Sequence, residues 1–294
     1  MSLEDKLRGW TGPSSPTEQE KQERTERMIR QAVLNHPPFF NASILIYAKG
    51  SYANNTNVRL DSDVDIAVEC TEVFYWENSN AGIHPEVTPY TGIWTPEKLR
   101  TELSTALRAQ FPGQVDESGS TALQINSNTS RVDADVVPCF SYRYYLSEGQ
   151  WRVGTKIFPT GGAAIVNYPI QQLENGRAKN LRTNLNYKKA VRALKRIENA
   201  MAEERVFRTL PSYFIECLAY NCPDNVLLSS SWSETVKRML VHLWEGLQGD
   251  EPSEDGARWL EVNDCFYLFH PYQKWTRSDG REFAHAAWNF LGYS

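Results

Sequence analysis

The chain has 294 residues, 41% hydrophobic and 12% aromatic, with 31 basic and 36 acidic side chains and a net charge of −5. That length predicts about two domains or lobes, and the acidic balance excludes a strongly basic nucleic-acid binder. The five cysteines (Cys70, Cys139, Cys217, Cys222, Cys265) form no Cys-x-x-Cys pair, which argues against a zinc ribbon and for the reduced thiols of a cytoplasmic protein; no signal peptide or apolar run long enough to span a membrane is evident.

Residues 1–16 carry Gly9, Gly12, Pro13, Ser14, Ser15 and Pro16 and are expected to form a flexible N-terminal arm. Ser15-Pro16-Thr17-Glu18 has the features of a helix entry: proline in the first turn and an acid beside the positive helix end. A charge-rich helix is expected from Thr17 to about Asn35, with Met28, Ile29, Ala32 and Val33 on its packed side and Pro37-Pro38 ending it. Ser43 to Ala48 is apolar and β-branched, the pattern of a buried strand. Gly50 and Ser51 then leave that strand on a turn. Glycine lets backbone approach a ligand closely, and a serine hydroxyl with nearby N–H groups can hold phosphate oxygens. Asp63-Val64-Asp65 opens a second strand, which puts both carboxylates on one face. Such a pair repels unless a cation joins it, and hard oxygen ligands suit Mg²⁺.

Gly50-Ser51, a spacer of about a dozen residues, and Asp63-x-Asp65 resemble the active-site signature of the polymerase β-like nucleotidyltransferases. That pattern requires a third carboxylate on a neighbouring strand. Ser130 to Pro138 alternates and then runs apolar, and Asp133 and Asp135 share one face of it. The resemblance selects Asp135, three residues before Pro138, with Asp133 as second choice.

Between these strands, Phe74, Tyr75 and Trp76 lead into a loop reaching Thr95, to which no role is assigned. A helix is expected from Thr95-Pro96-Glu97 to about Phe111, with Leu99, Leu103, Ala106 and Leu107 as its stripe. Further strands are expected at Thr121–Ile125 and Trp151–Phe158. From Ile170 the pattern is helical: Gln171–Leu181, Asn184–Glu204 (stripe Ala190, Val191, Leu194, Ile197, Met201), Pro211–Cys222, Ser231–Leu247 and Asp279–Leu291. The expected fold class is α+β: a nucleotidyltransferase lobe over 17–165, a helical lobe over 166–294, and the active site in the cleft between them.

Lys188, Arg192 and Lys195 share one face of the 184–204 helix, with Lys189 and Arg196 beside it. Beside the carboxylates, Lys188 and Lys195 are candidate ligands of a nucleotide's phosphates. Ser212 lies in the first turn of the next helix, where free N–H groups favour anions. Asn175-Gly176-x-x-Lys179-Asn180, the Val-Arg-x-Leu-Lys-Arg run and Pro-Ser-Tyr-x-x-Glu resemble the bacterial cyclic-oligonucleotide synthases of the cGAS/DncV-like nucleotidyltransferases, the CD-NTases. The match covers roughly residues 40 to 225, with a weaker echo at Trp259 to Trp275. It implies that Lys195 and Ser212 bind donor phosphates and that a long N-terminal helix backs both lobes. Tyr213 is a candidate base-stacking ring or a core aromatic, Asn180 a candidate base-reading side chain, and Glu216 a residue that orients its neighbours. The five histidines show no metal-ligand spacing.

The reaction so implied joins nucleoside triphosphates into a cyclic di- or trinucleotide second messenger in bacterial anti-phage signalling, with a downstream effector sensing the product. Two Mg²⁺ ions are expected, replaceable by Mn²⁺: one on Asp63, Asp65 and Asp135, a second on Asp63 and Asp65. No DNA or RNA activator and no membrane are expected; a regulatory protein partner stays open. The alternatives are nucleotidyl transfer to tRNA, protein or an antibiotic on the same fold, and an inactive nucleotide-binding module. The acidic balance argues against tRNA.

Overall fold

The computed structural model describes residues 1–58, 63–79 and 89–294. The spacer residues 59–62 and residues 80–88 of the expected 74–95 loop lie outside it. The chain divides into two compact units, one of Ser15–Ala53 with Arg59–Ile170, the other of Met1–Ser14, Asn54–Val58 and Gln171–Ser294.

The first unit is built on a sheet of β1 (Ile44–Lys49), β2 (Val64–Asn78), β3 (Val115–Asp116), β4 (Leu123–Ile125), β5 (Ala134–Ser147), β6 (Gln150–Ile157) and β7 (Ile165–Asn167), in the order β1-β2-β5-β4-β3. The C-terminal half of β5 also pairs with β6, and β6 with β7. β2 and β5 run parallel; the other pairs are antiparallel. A parallel pair needs a crossover, and α4 (Pro96–Gln110) lies in that connection. Thr95 caps α4, its side chain accepting from the Lys98 N–H. β2 runs far beyond the Asp63-Val64-Asp65 opening of the expected strand. A bulge between Cys70 and Phe74 lets it resume, so Phe74, Tyr75 and Trp76 are paired with β5 rather than looped.

Strand alternation decides what each face of this sheet does. Val64, Ile66 and Val68 of β2 and Ala134, Val136 and Phe140 of β5 are buried in one core with Ile29, Ala32 and Val33 of α2 (Pro16–Leu34) and Leu99, Leu103 and Leu107 of α4. The alternate residues, Asp65, Ala67 and Glu69 on β2 and Asp135, Val137 and Cys139 on β5, therefore share the opposite face.

The second unit is helical. Its elements are α1 (Leu3–Trp10), α5 (Pro169–Arg182), α6 (Asn186–Glu203), α7 (Ser212–Asn221), the short α8 (Asp224–Leu227), α9 (Trp232–Gly246) and α10 (Arg277–Leu291). The α6 stripe Ala190, Val191, Leu194, Ile197 and Met201 is wholly buried. Residues 1–16 are not a flexible arm. Ser2 and Asp5 form a reciprocal capping box at the start of α1, and Leu7 is fully buried in the helical core. The Glu4 carboxylate accepts the Trp232 and Ser233 N–H groups at the start of α9. Gly9, Gly12 and Pro13 mask the Leu3, Leu7, Trp10 spacing that marks this helix.

Candidate active site

The carboxylates sit where the sheet's register brings four strands level. Asp65 of β2 lies opposite Asp135 of β5 on one side and Lys49 of β1 on the other. Asp135 in turn faces Gln124 of β4. Cross-strand neighbours share a face, so Lys49, Asp65, Asp135 and Gln124 form one polar row. Lys49 Nζ is 3.9 Å from Asp65 Oδ1, a loose pair. Burial pushes the Asp65 carboxyl above its ordinary proton affinity; Lys49 opposes this, and the Asp135 charge adds to it. The row thus carries two like charges on adjacent strands, one partly desolvated, a donor set of hard oxygens that fits a divalent cation.

Gly50 follows β1 directly and begins α3 (Gly50–Ala53). Its φ is +67°, and a Cβ there would overlap Asp65 Oδ2 and lie 3.1 Å from Cγ. The close approach expected of this glycine is thus made first to the Asp65 carboxylate. Ser51 lies one residue on in the same short helix.

Asp63 is exposed immediately before β2. The register brings Asp65 and Asp135 level on parallel strands. Asp133 is committed elsewhere: its carboxylate accepts the Ser127 N–H, and its carbonyl accepts the Val64 N–H. Sequence reasoning missed Glu69. This buried carboxylate lies on the same face, and its two oxygens accept from the Tyr47 hydroxyl (2.9 Å) and Ser141 Oγ (2.6 Å). An alternating strand does not reveal such a partner set.

In the helical unit the expected basic face of α6 divides. Arg192 is buried and donates to the carbonyls of Thr11 and Asn55; Arg196 donates to those of Trp10 and Gly12. Lys195 is 3% exposed, with Nζ 3.2 Å from Glu216 Oε2 and 3.5 Å from Thr56 Oγ1. It is therefore held in an internal ion pair rather than presented to solvent. Breaking a buried pair leaves the other charge uncompensated, at a cost of roughly 3–5 kcal/mol. Lys195→Met should accordingly lower the melting temperature by several degrees, whereas removal of a free surface lysine would leave it unchanged; a thermal melt decides.

Lys188 is half-buried. Burial lowers its proton affinity, and nearby Arg177 and Arg192 lower it further, while Glu216 opposes them. Arg177, which sequence reasoning passed over, is exposed on α5. Ser212 is exposed in the first turn of α7, whose N-cap, Pro211, supplies no side-chain acceptor. Two base-contact candidates are used internally. Tyr213 donates its hydroxyl to Glu261 Oε2 and packs edge-on against Trp275. Asn180 Oδ1 accepts the Lys188 N–H and so caps the start of α6.

The carboxylate row on a mixed sheet, followed in the chain by a helical unit, defines the class: a nucleotidyltransferase of α+β fold. The C-terminal helical domain of the cGAS/DncV-like nucleotidyltransferases matches residues 174–292. The cyclic dipyrimidine nucleotide synthase CdnE of Legionella pneumophila is 35% identical, over 99% of this chain and 98% of its own length. The cyclic dipurine nucleotide synthase of Elizabethkingia meningoseptica is 32% identical over the same shares. The solved structure of the Elizabethkingia meningoseptica CdnE cyclic dinucleotide synthase with GTP and Apcpp superimposes with a TM-score of 0.82 at 31% identity, covering all of both chains. The chain belongs to the cGAS/DncV-like nucleotidyltransferases, the CD-NTases. Among the described residues no helix is long and apolar enough to cross a membrane.

Proposed function

We propose that this protein joins two ribonucleoside triphosphates into a cyclic dinucleotide, releasing two pyrophosphates. The observation that carries the reading is the register of Asp65 against Asp135 on parallel strands, in a chain whose relatives along its whole length are cyclic-nucleotide synthases. In each step a ribose hydroxyl oxygen forms a bond to the α-phosphorus of a triphosphate. The bond to the β-phosphate oxygen breaks, pyrophosphate departs, and the hydroxyl proton passes to solvent. Bound Mg²⁺ or Mn²⁺ would polarise the phosphoryl oxygens and make the attacking hydroxyl more acidic. Asp65 and Asp135 would hold the metal, with Asp63, one residue before β2, as third ligand.

The triphosphate tail requires cations and N–H donors. Gly50 and Ser51 are assigned to it through their backbone, Lys188 through its ammonium and Ser212 through its hydroxyl and the uncapped first turn of α7. Lys188 is suited to the task because its cationic neighbours favour an arriving anion. Base selection rests on a few side chains, since relatives of nearly equal identity are a dipyrimidine and a dipurine synthase. The product would serve as a cytoplasmic second messenger in anti-phage signalling, read by an effector, with no nucleic-acid activator.

The test incubates the purified protein with all four ribonucleoside triphosphates and Mg²⁺ or Mn²⁺, treats the products with phosphatase, and identifies them by mass spectrometry. A phosphatase-resistant cyclic dinucleotide is expected. Labelling of an added protein, RNA or antibiotic without any cyclic product would move the protein to the transferase alternative.

A further inference from the structure

The helical unit contains a short stretch that does not follow from its own sequence neighbourhood: Asn54–Val58. Three of its five residues, Asn54, Thr56 and Asn57, are buried polar side chains. Thr56 Oγ1 donates to Glu216 Oε2 at 2.7 Å, and Asn54 Nδ2 donates to Glu216 Oε1 at 3.3 Å. The same carboxylate accepts from Lys195 Nζ and, at 3.4 Å, from Gln172 Nε2. Glu216 is 1% exposed, so four side-chain donors from three separate parts of the chain converge on one dry carboxylate. Gly176 closes the cluster: a Cβ there would lie 3.4 Å from Asn54 Oδ1. Arg192 reinforces the arrangement by donating to the Asn55 carbonyl.

The place of this stretch in the chain gives the cluster its meaning. Asn54 directly follows α3, which holds Gly50 and Ser51, and only residues 59–62 separate Val58 from Asp63. Whatever holds 54–58 therefore constrains the chain where it leaves the proposed phosphate turn. A carboxylate meant only to neutralise Lys195 would need one partner; this one makes its shortest hydrogen bond to Thr56.

We infer that Glu216 is a positioning residue: through Thr56 and Asn54 it fixes residues 54–58 and thereby the end of α3, which holds Gly50 and Ser51. The inference rests on the nucleotidyltransferase reading for its kinetic arm alone. Thr56→Val removes the hydroxyl bond and leaves the Lys195–Glu216 pair; Thr56→Ser keeps the hydroxyl; Glu216→Gln removes the charge.

Two readouts separate positioning from bulk stability. In hydrogen–deuterium exchange, the amides of residues 50–58 in Thr56→Val should exchange about tenfold faster than in the wild type, with α9 and α10 unchanged. In pyrophosphate release at saturating nucleotide, kcat should fall by about 10²-fold with KM held, the size expected of a small misplacement of reacting groups. Thr56→Ser should restore both, and Glu216→Gln should add little to Thr56→Val. Wild-type protection of 50–58 in Thr56→Val would overturn the inference, as would a Glu216→Gln variant that raises KM alone, since the carboxylate would then act only through Lys195. If the wild type itself released no pyrophosphate, the functional reading would fail while the exchange measurement still decided this one.

Discussion

Asp135→Asn should reduce pyrophosphate release by on the order of 10³-fold or more, at least the loss seen when one preorganised charge-stabilising group is removed from an active site. Its stability should be unchanged or higher. Asp135 has Asp65 as its β2 neighbour, and that like charge, together with burial, already raises the proton affinity of Asp65. Removing one charge relieves the repulsion. Asp65→Asn should be as inactive; it gives up the loose 3.9 Å pair with Lys49 but also removes a charge that burial disfavours. A ligand that binds only the folded state raises stability by about 2.7 kcal/mol at a hundredfold excess over its dissociation constant. Mn²⁺ should therefore raise the melting temperature of the wild type and leave that of Asp135→Asn unchanged. An active Asp135→Asn, or one that Mn²⁺ still stabilises, would remove this row from the mechanism.

Gly50→Ala should cost about 10²-fold in kcat with little change in KM, because the reacting groups are displaced rather than lost. Two costs fall on this position. A residue with a side chain at φ +67° pays about 1–2 kcal/mol for the left-handed backbone. The added Cβ also overlaps Asp65 Oδ2, and the carboxylate must turn away from its place in the row. Gly149 isolates the first cost: its φ is +73°, with nothing within 4 Å of a Cβ. Gly149→Ala should lose comparable stability and keep full activity. Equal activities for the two variants would show that the closeness of Gly50 to Asp65 has no catalytic consequence.

Neither result needs the helical unit, and both residues involved are visible in the sequence. The reason given by sequence for Gly50 was incomplete: it pointed to a phosphate, and the tight contact is with Asp65. For Asp135 the sequence supplied two candidates two residues apart on one face. Only the hydrogen bond of Asp133 to the Ser127 N–H and the level register of Asp135 with Asp65 separate them in the structure.

The basic face of α6 is legible in the sequence only in part. Helical periodicity gave its geometry, since Lys188, Arg192 and Lys195 fall on one side of a helix whose apolar stripe is buried. It could not give their partners. Glu216 lies 21 residues beyond Lys195, and Thr56 lies 139 residues before it. The same holds for Arg192, whose guanidinium reaches the Thr11 and Asn55 carbonyls.

Sequence alone determined the division into a sheet-bearing part and a helical part, the strands that carry Asp65 and Asp135, the stripe of each long helix and the motifs that tie the chain to its family. These are properties of neighbours, because strand alternation and helical periodicity act within about ten residues. Tertiary structure decided which charges remain available to a ligand, that residues 3–10 are a capped helix with Leu7 in the core, and that residues 54–58 belong with α6 and α7. A charged side chain reads the same in sequence whether it faces water or a buried partner. The desolvation that separates the two cases depends on what the rest of the chain packs around it.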